Sequence, residues 1–154
     1  MMPAVYLGLG TNLGDKQANL KAAVEKINER IGEVTSLSSF YETAPWGFES
    51  QNSFLNAALC VQTSMEALQI LQITQEIEKE LGRMKKSSGG CYTDRLIDID
   101  ILLYGNVVLT TSQLVIPHPL MEKRAFVMQP LAEIAPHVVH PLLNKTMQEL
   151  ALQL

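Results

Sequence analysis

The stretch from Asp94 to Gly105, "DRLIDIDILLYG", constrains the fold of this 154-residue chain more than any other. Ile97, Ile99, Ile101 and Leu103 recur at every second position, the pattern of a strand with one buried face. Between them stand Asp98 and Asp100. Side chains alternate across a strand, so the two carboxylates point to the same face as i and i+2 neighbours. Like charges held that close repel, and Asp is disfavoured in strands. A solvated strand face would tolerate them. Here their face reads Leu96, Asp98, Asp100, Leu102, and the bracketing leucines fit a partly desolvated cleft better. A hard divalent cation would turn the repulsion into attraction. Mg²⁺ suits such a pair, because it takes one or two carboxylates and completes its shell with water and substrate phosphates.

The rest of the chain alternates strand and helix periods. "AVYLGLG" is a short apolar strand running into the turn "GTNLGD". Leu20, Val24, Ile27 and Ile31 then recur at helical spacing, with Asp15 placed to cap the helix and Gly32 to end it. Residues 34–43 read as one strand, and "SFLNAALCVQT" as another. A second helix follows, with Thr63 and Glu66 in capping-box spacing and a core stripe of Ile70, Ile73, Ile77 and Leu81. Gln75 and Glu78 share a side off that stripe. After the Asp-bearing strand, "VVLTT" is expected as its short hairpin partner, and the remainder reads as short helical pieces punctuated by proline. The order is β-α-β-β-α-β with a C-terminal helical addition: an α+β, ferredoxin-like plan with an antiparallel sheet and helices on one face. One domain over residues 1–154 fits the length.

Charge narrows the function. Twelve Lys and Arg against sixteen Asp and Glu leave a net charge of -4, which argues against nucleic acid or an anionic membrane as the main partner. An RNA-binding module of this plan would present aromatics and a basic sheet face, not acids. A nucleotide-sugar transferase built on D-x-D usually needs a larger domain. No apolar run approaches the ~20 residues of a membrane span, and the N-terminus carries no secretory pattern. Cys60 and Cys91 form no metal-type spacing. A reducing cytoplasm is the expected setting, and a monomer the expected state.

Basic residues nonetheless gather around the acids in sequence: Arg83, Lys85 and Lys86 before, Arg95 at the strand start, then His118, Lys123 and Arg124. With a metal they are the ingredients for holding a polyphosphate. Gly8, Gly10 and Gly14 space as G-x-G-x-x-x-G, neither a dinucleotide fingerprint nor a Walker loop, and are expected to serve strand packing and a turn. Phe54 and Asn56 share a strand face. They suit stacking on a heterocycle and reading its edge, or equally a core Phe and a turn-capping Asn.

Six segments together, "LGLGTNLGD", "SSFYETAPWG", "FLNAAL", "QEIEKELGR", "DRLIDIDILLYGN" and "IPHPLMEKRAF", resemble the hydroxymethyl-dihydropterin pyrophosphokinases of folate synthesis, from about Val5 to Pro141. The resemblance implies transfer of pyrophosphate from ATP to 6-hydroxymethyl-7,8-dihydropterin, releasing AMP. It implies two Mg²⁺ ions on Asp98 and Asp100, and Arg83 and Arg95 as catalytic arginines that also hold ATP. Further ATP contacts map onto Gln75, Glu78, Lys86, Ile101, His118 and Arg124, with Tyr92 as an aromatic cover. The pterin site maps onto Thr43, Ala44, Pro45, Trp46, Phe54, Asn56 and Asp98, with Phe126 on the opposite ring face. Loops near 46–52 and 84–94 are expected to close over the substrates.

Some positions depart from the family pattern. Tyr92-Thr93-Asp94-Arg95 stands where Trp-Gly-Pro-Arg is common, Gln113 where some members carry Arg, Pro119 where some carry Tyr, and Phe54 replaces a common Tyr.

Overall fold

The structure, a computed structural model, describes residues 2–43, 53–82 and 96–154. Strand β1 (Ala4–Thr11) leads into helix α1 (Lys16–Arg30), then β2 (Glu33–Leu37), β3 (Tyr41–Thr43) and β4 (Phe54–Gln62). Helix α2 (Ala67–Gly82) precedes β5 (Asp98–Tyr104), and β6 (Leu109–Thr110) and β7 (Val115–Ile116) follow. A 3₁₀ turn (Met121–Lys123), α3 (Ala125–Ile134) and α4 (Met147–Leu152) close the chain. The main sheet is antiparallel in the order β2-β4-β1-β5, with β3 also paired to β4. This is the expected ferredoxin-like arrangement.

The sheet divides two cores. Val5, Leu7 and Leu9 of β1, with Ile97, Ile99 and Ile101, bury against Leu20 and Ile27 of α1 and Ile70 and Ile77 of α2. On the other face Ala58 and Leu102 pack with Met121, Met128, Leu131, Met147 and Leu150. The expectation of one covered face therefore holds for α1 and α2, while the C-terminal addition covers part of the second face.

Four local expectations change. Leu103 does not continue the Ile97-Ile99-Ile101 face. The β1–β5 register slips between Tyr6 and Leu7, so Leu102 goes unpaired and Leu103 turns into the opposite core. That is the effect of a bulge, which no period count reveals. The strand expected over 34–43 is two strands, because Ser38 interrupts it. Its hydroxyl accepts from Ala58 N–H (2.9 Å) and donates to Ser39 O (2.7 Å). "VVLTT" supplies β6, which pairs with β7 rather than with β5.

Thr63 forms no capping box with Glu66, since α2 begins at Ala67. Its hydroxyl donates instead to Ile31 O (2.6 Å), satisfying an orphan carbonyl at the end of α1, and accepts from Met65 N–H. A true capping box lies at Thr146 and Glu149, opening α4. Asp15 caps α1 as expected, accepting from Ala18 N–H. Among the described residues no helix is long and apolar enough to cross a membrane. Cys60 is a buried free thiol.

Gly32 ends α1 for a reason of space. A Cβ there would lie 2.1 Å from the Gln62 carbonyl oxygen and 2.9 Å from Thr63 Cβ. The backbone of β4 cannot retreat without breaking its pairing to β1. Gly32→Ala is therefore expected to cost about 3 kcal/mol, at the upper end for overpacking. That corresponds to a fall of roughly 6–12 °C in Tm for a domain of this size. Thermal unfolding followed by circular dichroism checks this, and a variant melting with the wild type would refute the steric account.

Candidate active site

The candidate site on the second sheet face is built by register. Asn56 of β4 stands opposite Gly10 of β1, and Gly10 stands opposite Asp98 of β5. One step along, Ala58, Gly8 and Asp100 form the next row. Directly paired residues in antiparallel strands project to the same side. Gly10 therefore leaves a position without a side chain between the Asn56 carboxamide and the Asp98 carboxylate, while the Leu102 side chain lies against Gly8. Gly8 and Gly10 are neither a nucleotide loop nor turn residues. They lie in the strand interior, where Gly marks a close approach. Reading G-x-G as packing missed this, although strict alternation with Leu7 and Leu9 is the signal that places both on the acids' face.

The carboxamide end is closely held. Asn56 is only 5% exposed, and its Nδ2 donates to Thr43 Oγ1 (3.1 Å). Thr43 itself pairs with Phe54 across β3 and β4. Thr43, Phe54 and Asn56, all expected in one site, are thus brought together. Lys16 Nζ donates to both Ser53 O (3.1 Å) and Ser53 Oγ (3.2 Å), while Ser53 Oγ donates to Glu42 (2.6 Å). These contacts tie the end of β3 to the residue before β4. Ala44, Pro45 and Trp46 lie outside the described residues, as do Arg83, Lys86, Tyr92 and Arg95.

A second brace reaches the same strands from α3. The Glu133 carboxylate accepts from Ser39 N–H (3.0 Å), Ser39 Oγ (3.0 Å) and Tyr41 Oη (2.7 Å). The Tyr41 hydroxyl, with the Ser39 groups, holds Glu133 below the usual carboxylate range, and the same bond raises the Tyr41 hydroxyl. Nothing in the sequence pattern marks Glu133, because its partners lie more than ninety residues away.

At the acid end, β5 is an edge strand, and its outer groups find partners. Glu78 Oε2 accepts from Ile99 N–H at 2.7 Å, midway between the two aspartates. His118 N–H donates to the carbonyl of Leu102, the bulged residue. That bond sets the His118 ring beside Asp100, with Nε2 to Oδ1 at 4.0 Å, while Nδ1 lies 3.0 Å from Pro119 O. A carbonyl only accepts, so Nδ1 carries a proton and Nε2 faces the carboxylate. Arg124 lies over the Phe126 ring (5.9 Å) at the start of α3. Ile101 is 3% exposed in the core, which leaves its main chain, not its side chain, for any ligand contact. Gln75 sits apart from the acids, lining an open depression of about 760 Å³ with Gln72, Leu109 and Gln113.

Asp98 and Asp100 fit a Mg²⁺ site on this geometry. Both belong to β5 and share one half-buried face, and the Asp100 side chain is 42% exposed. Among the described residues no group of three or more His, Cys, Asp or Glu side chains could enclose an ion. Two oxygen donors with open positions are what a metal shared with substrate phosphates requires.

The model of the 7,8-dihydro-6-hydroxymethylpterin-pyrophosphokinase family matches residues 6–136. This chain belongs to that family. It is 51% identical over 141 residues to the 2-amino-4-hydroxy-6-hydroxymethyldihydropteridine pyrophosphokinase of Porphyromonas gingivalis, covering 91% of this chain and 95% of that one. It is 44% identical to the enzyme of the same name from Aquifex aeolicus, covering 96% and 90%. Among solved structures, wild-type Plasmodium falciparum HPPK-DHPS superposes with a TM-score of 0.80 at 17% identity, over 99% of this chain but 45% of that longer one. At that identity the likeness speaks for the fold alone.

Within this family member, Glu78 acts on the acids through the backbone between them. Glu78→Ala is expected to speed amide exchange at Ile99, while Glu78→Gln, which keeps an acceptor oxygen, retains most of the protection. Hydrogen exchange followed by NMR distinguishes the two. Equal protection in Glu78→Ala and wild type would show that the bond does not hold the strand.

Proposed function

We propose that this chain transfers the β,γ-pyrophosphoryl group of ATP to the hydroxymethyl group of 6-hydroxymethyl-7,8-dihydropterin, yielding AMP and the pterin pyrophosphate in folate biosynthesis. The observation that carries this reading is the row Asn56–Gly10–Asp98, which sets a carboxamide and a carboxylate across a glycine in a member of the pyrophosphokinase family.

The chemistry is chiefly positioning and charge. The hydroxymethyl oxygen attacks the β-phosphorus, the bond from that phosphorus to the α,β-bridging oxygen breaks, and AMP leaves with that oxygen. Asn56, oriented by Thr43, binds the amide-like edge of the pterin, and Phe54 and Phe126 stack on its two faces. Holding both reactants in line converts a bimolecular encounter into a local one. Asp98 and Asp100 would hold Mg²⁺, two ions in this reading, whose charge offsets that of the phosphate oxygens. The hydroxyl proton leaves to a carboxylate of this pair or to water. His118 and Arg124 face the polyphosphate from the α3 side, Gln75, Glu78 and Ile101 from the α2 and β5 side. Arg83, Lys86, Tyr92 and Arg95 complete the phosphate and adenine contacts. Ala44, Pro45 and Trp46, which follow β3 in sequence, are assigned to cover the pterin and exclude water. Action as a single-domain cytoplasmic monomer belongs to the same proposal.

Incubation with ATP, Mg²⁺ and the dihydropterin, followed by chromatography of nucleotides, is expected to give AMP and pterin pyrophosphate in equal amounts. ADP as the nucleotide product, or no turnover, overturns the assignment. Asp98→Ala and Asp100→Ala are each expected to abolish turnover while circular dichroism shows the fold retained. Full activity in either variant would remove the metal pair from the mechanism.

A further inference from the structure

We propose that Gly10 is a specificity-determining residue of the pterin site, the bare position over which the Asn56 carboxamide must lie to present its oxygen to the ring. The inference rests on the reading that Asn56 binds the pterin edge.

Three observations carry it. Asn56 Nδ2 donates a hydrogen bond to Thr43 Oγ1, so the amide plane is fixed with Oδ1 on the opposite side, toward β1. A Cβ built on Gly10 would stand 3.1 Å from that Oδ1 and 4.0 Å from Phe54 Cδ1. Asn56 is 5% exposed, so the carboxamide has little room to withdraw. The smallest side chain at position 10 would therefore press on Asn56 and touch Phe54, the two residues read here as binding the heterocycle.

The register extends the argument to substrate class. Two strand spacings, roughly 10 Å, separate the backbone of Asn56 from that of Asp98, with only Gly10 between them. A flat ligand crossing that gap can meet the amide with one end and the carboxylates with the other. A bicyclic ring bearing a one-carbon alcohol has that reach, with its amide-like edge at Asn56 and its hydroxyl at Asp98.

The test is a double-mutant cycle read by calorimetry, with 6-hydroxymethylpterin titrated into protein holding Mg²⁺ and a non-transferring ATP analogue. Gly10→Ala is expected to weaken pterin binding roughly tenfold, the scale of a small steric misfit in a pocket. Affinity for the ATP analogue should stay at the wild-type value. In the Asn56→Ala background the same substitution should add no further loss, since residues acting through one contact are coupled. Wild-type pterin affinity in Gly10→Ala, or an equal loss in both backgrounds, overturns the proposal. If Gly10→Ala fails to fold, recovery of folding on adding Asn56→Ala supports the clash, and an unfolded double variant overturns it. A wild-type chain that bound no pterin would instead strike the functional reading above.

Discussion

The candidate site of this protein depends on how β1 is threaded between β4 and β5. That central strand contributes no side chain to the site, yet its register decides which residues of its neighbours meet. Gly10 aligns Asn56 with Asp98, and Gly8 aligns Ala58 with Asp100. A slip of β5 by one residue would turn Asp98 and Asp100 into the core with Leu20 and Ile70, at the cost of burying two charges. A like slip of β1 would expose Val5, Leu7 and Leu9. Burial on the α1/α2 side is thus what holds the chemistry in place on the other.

The second face is divided between stability and function along the length of its strands. Toward Tyr6, Cys60 and Leu103 it is sealed by Met128, Leu131, Met147 and Leu150 of the C-terminal addition. Around Gly10 it carries Asn56 and Asp98 instead. The β5 bulge marks the border: it turns Leu103 into the sealed core and frees the Leu102 carbonyl to hold His118 beside Asp100. Glu133 crosses the same border from α3, bracing Ser39 and Tyr41 and so the strand that ends at Thr43. The helical addition therefore positions the site as well as closing the core.

Much of this was legible in the chain, and the exceptions share a physical cause. Period-two alternation located Ile97, Ile99 and Ile101 in the core and the aspartates opposite, and helical spacing found the α2 stripe, because both depend only on local geometry. Leu103 escaped because a bulge is a property of pairing. Thr63 and Glu66 matched a capping box in spacing, but the Ile31 carbonyl, thirty-two residues away, competed for the hydroxyl and won. "VVLTT" followed the Asp strand closely enough to suggest a hairpin, yet its partner came later, in β7. The gap at Gly10 was visible in the letters and not in the meaning, since absence of a side chain acquires significance only when the neighbouring strands are known. Lys16, Ser53 and Glu133 carried no local signal at all.

The same reasoning separates what each carboxylate in the region does. Glu80 lies against Arg30 and Lys26, which lower it to about 2 and strap α1 to α2. Glu133 is occupied by hydroxyl and amide donors, and Glu78 accepts from a backbone amide. Each of these acids is given to a donor that belongs to the fold. Asp98 and Asp100 differ in arrangement: they stand side by side on an edge strand, opposite glycines, with the His118 imidazole 4.0 Å from Asp100. Two carboxylates side by side on one strand face repel, and a divalent cation shared between them, as in the function proposed above, would offset that repulsion.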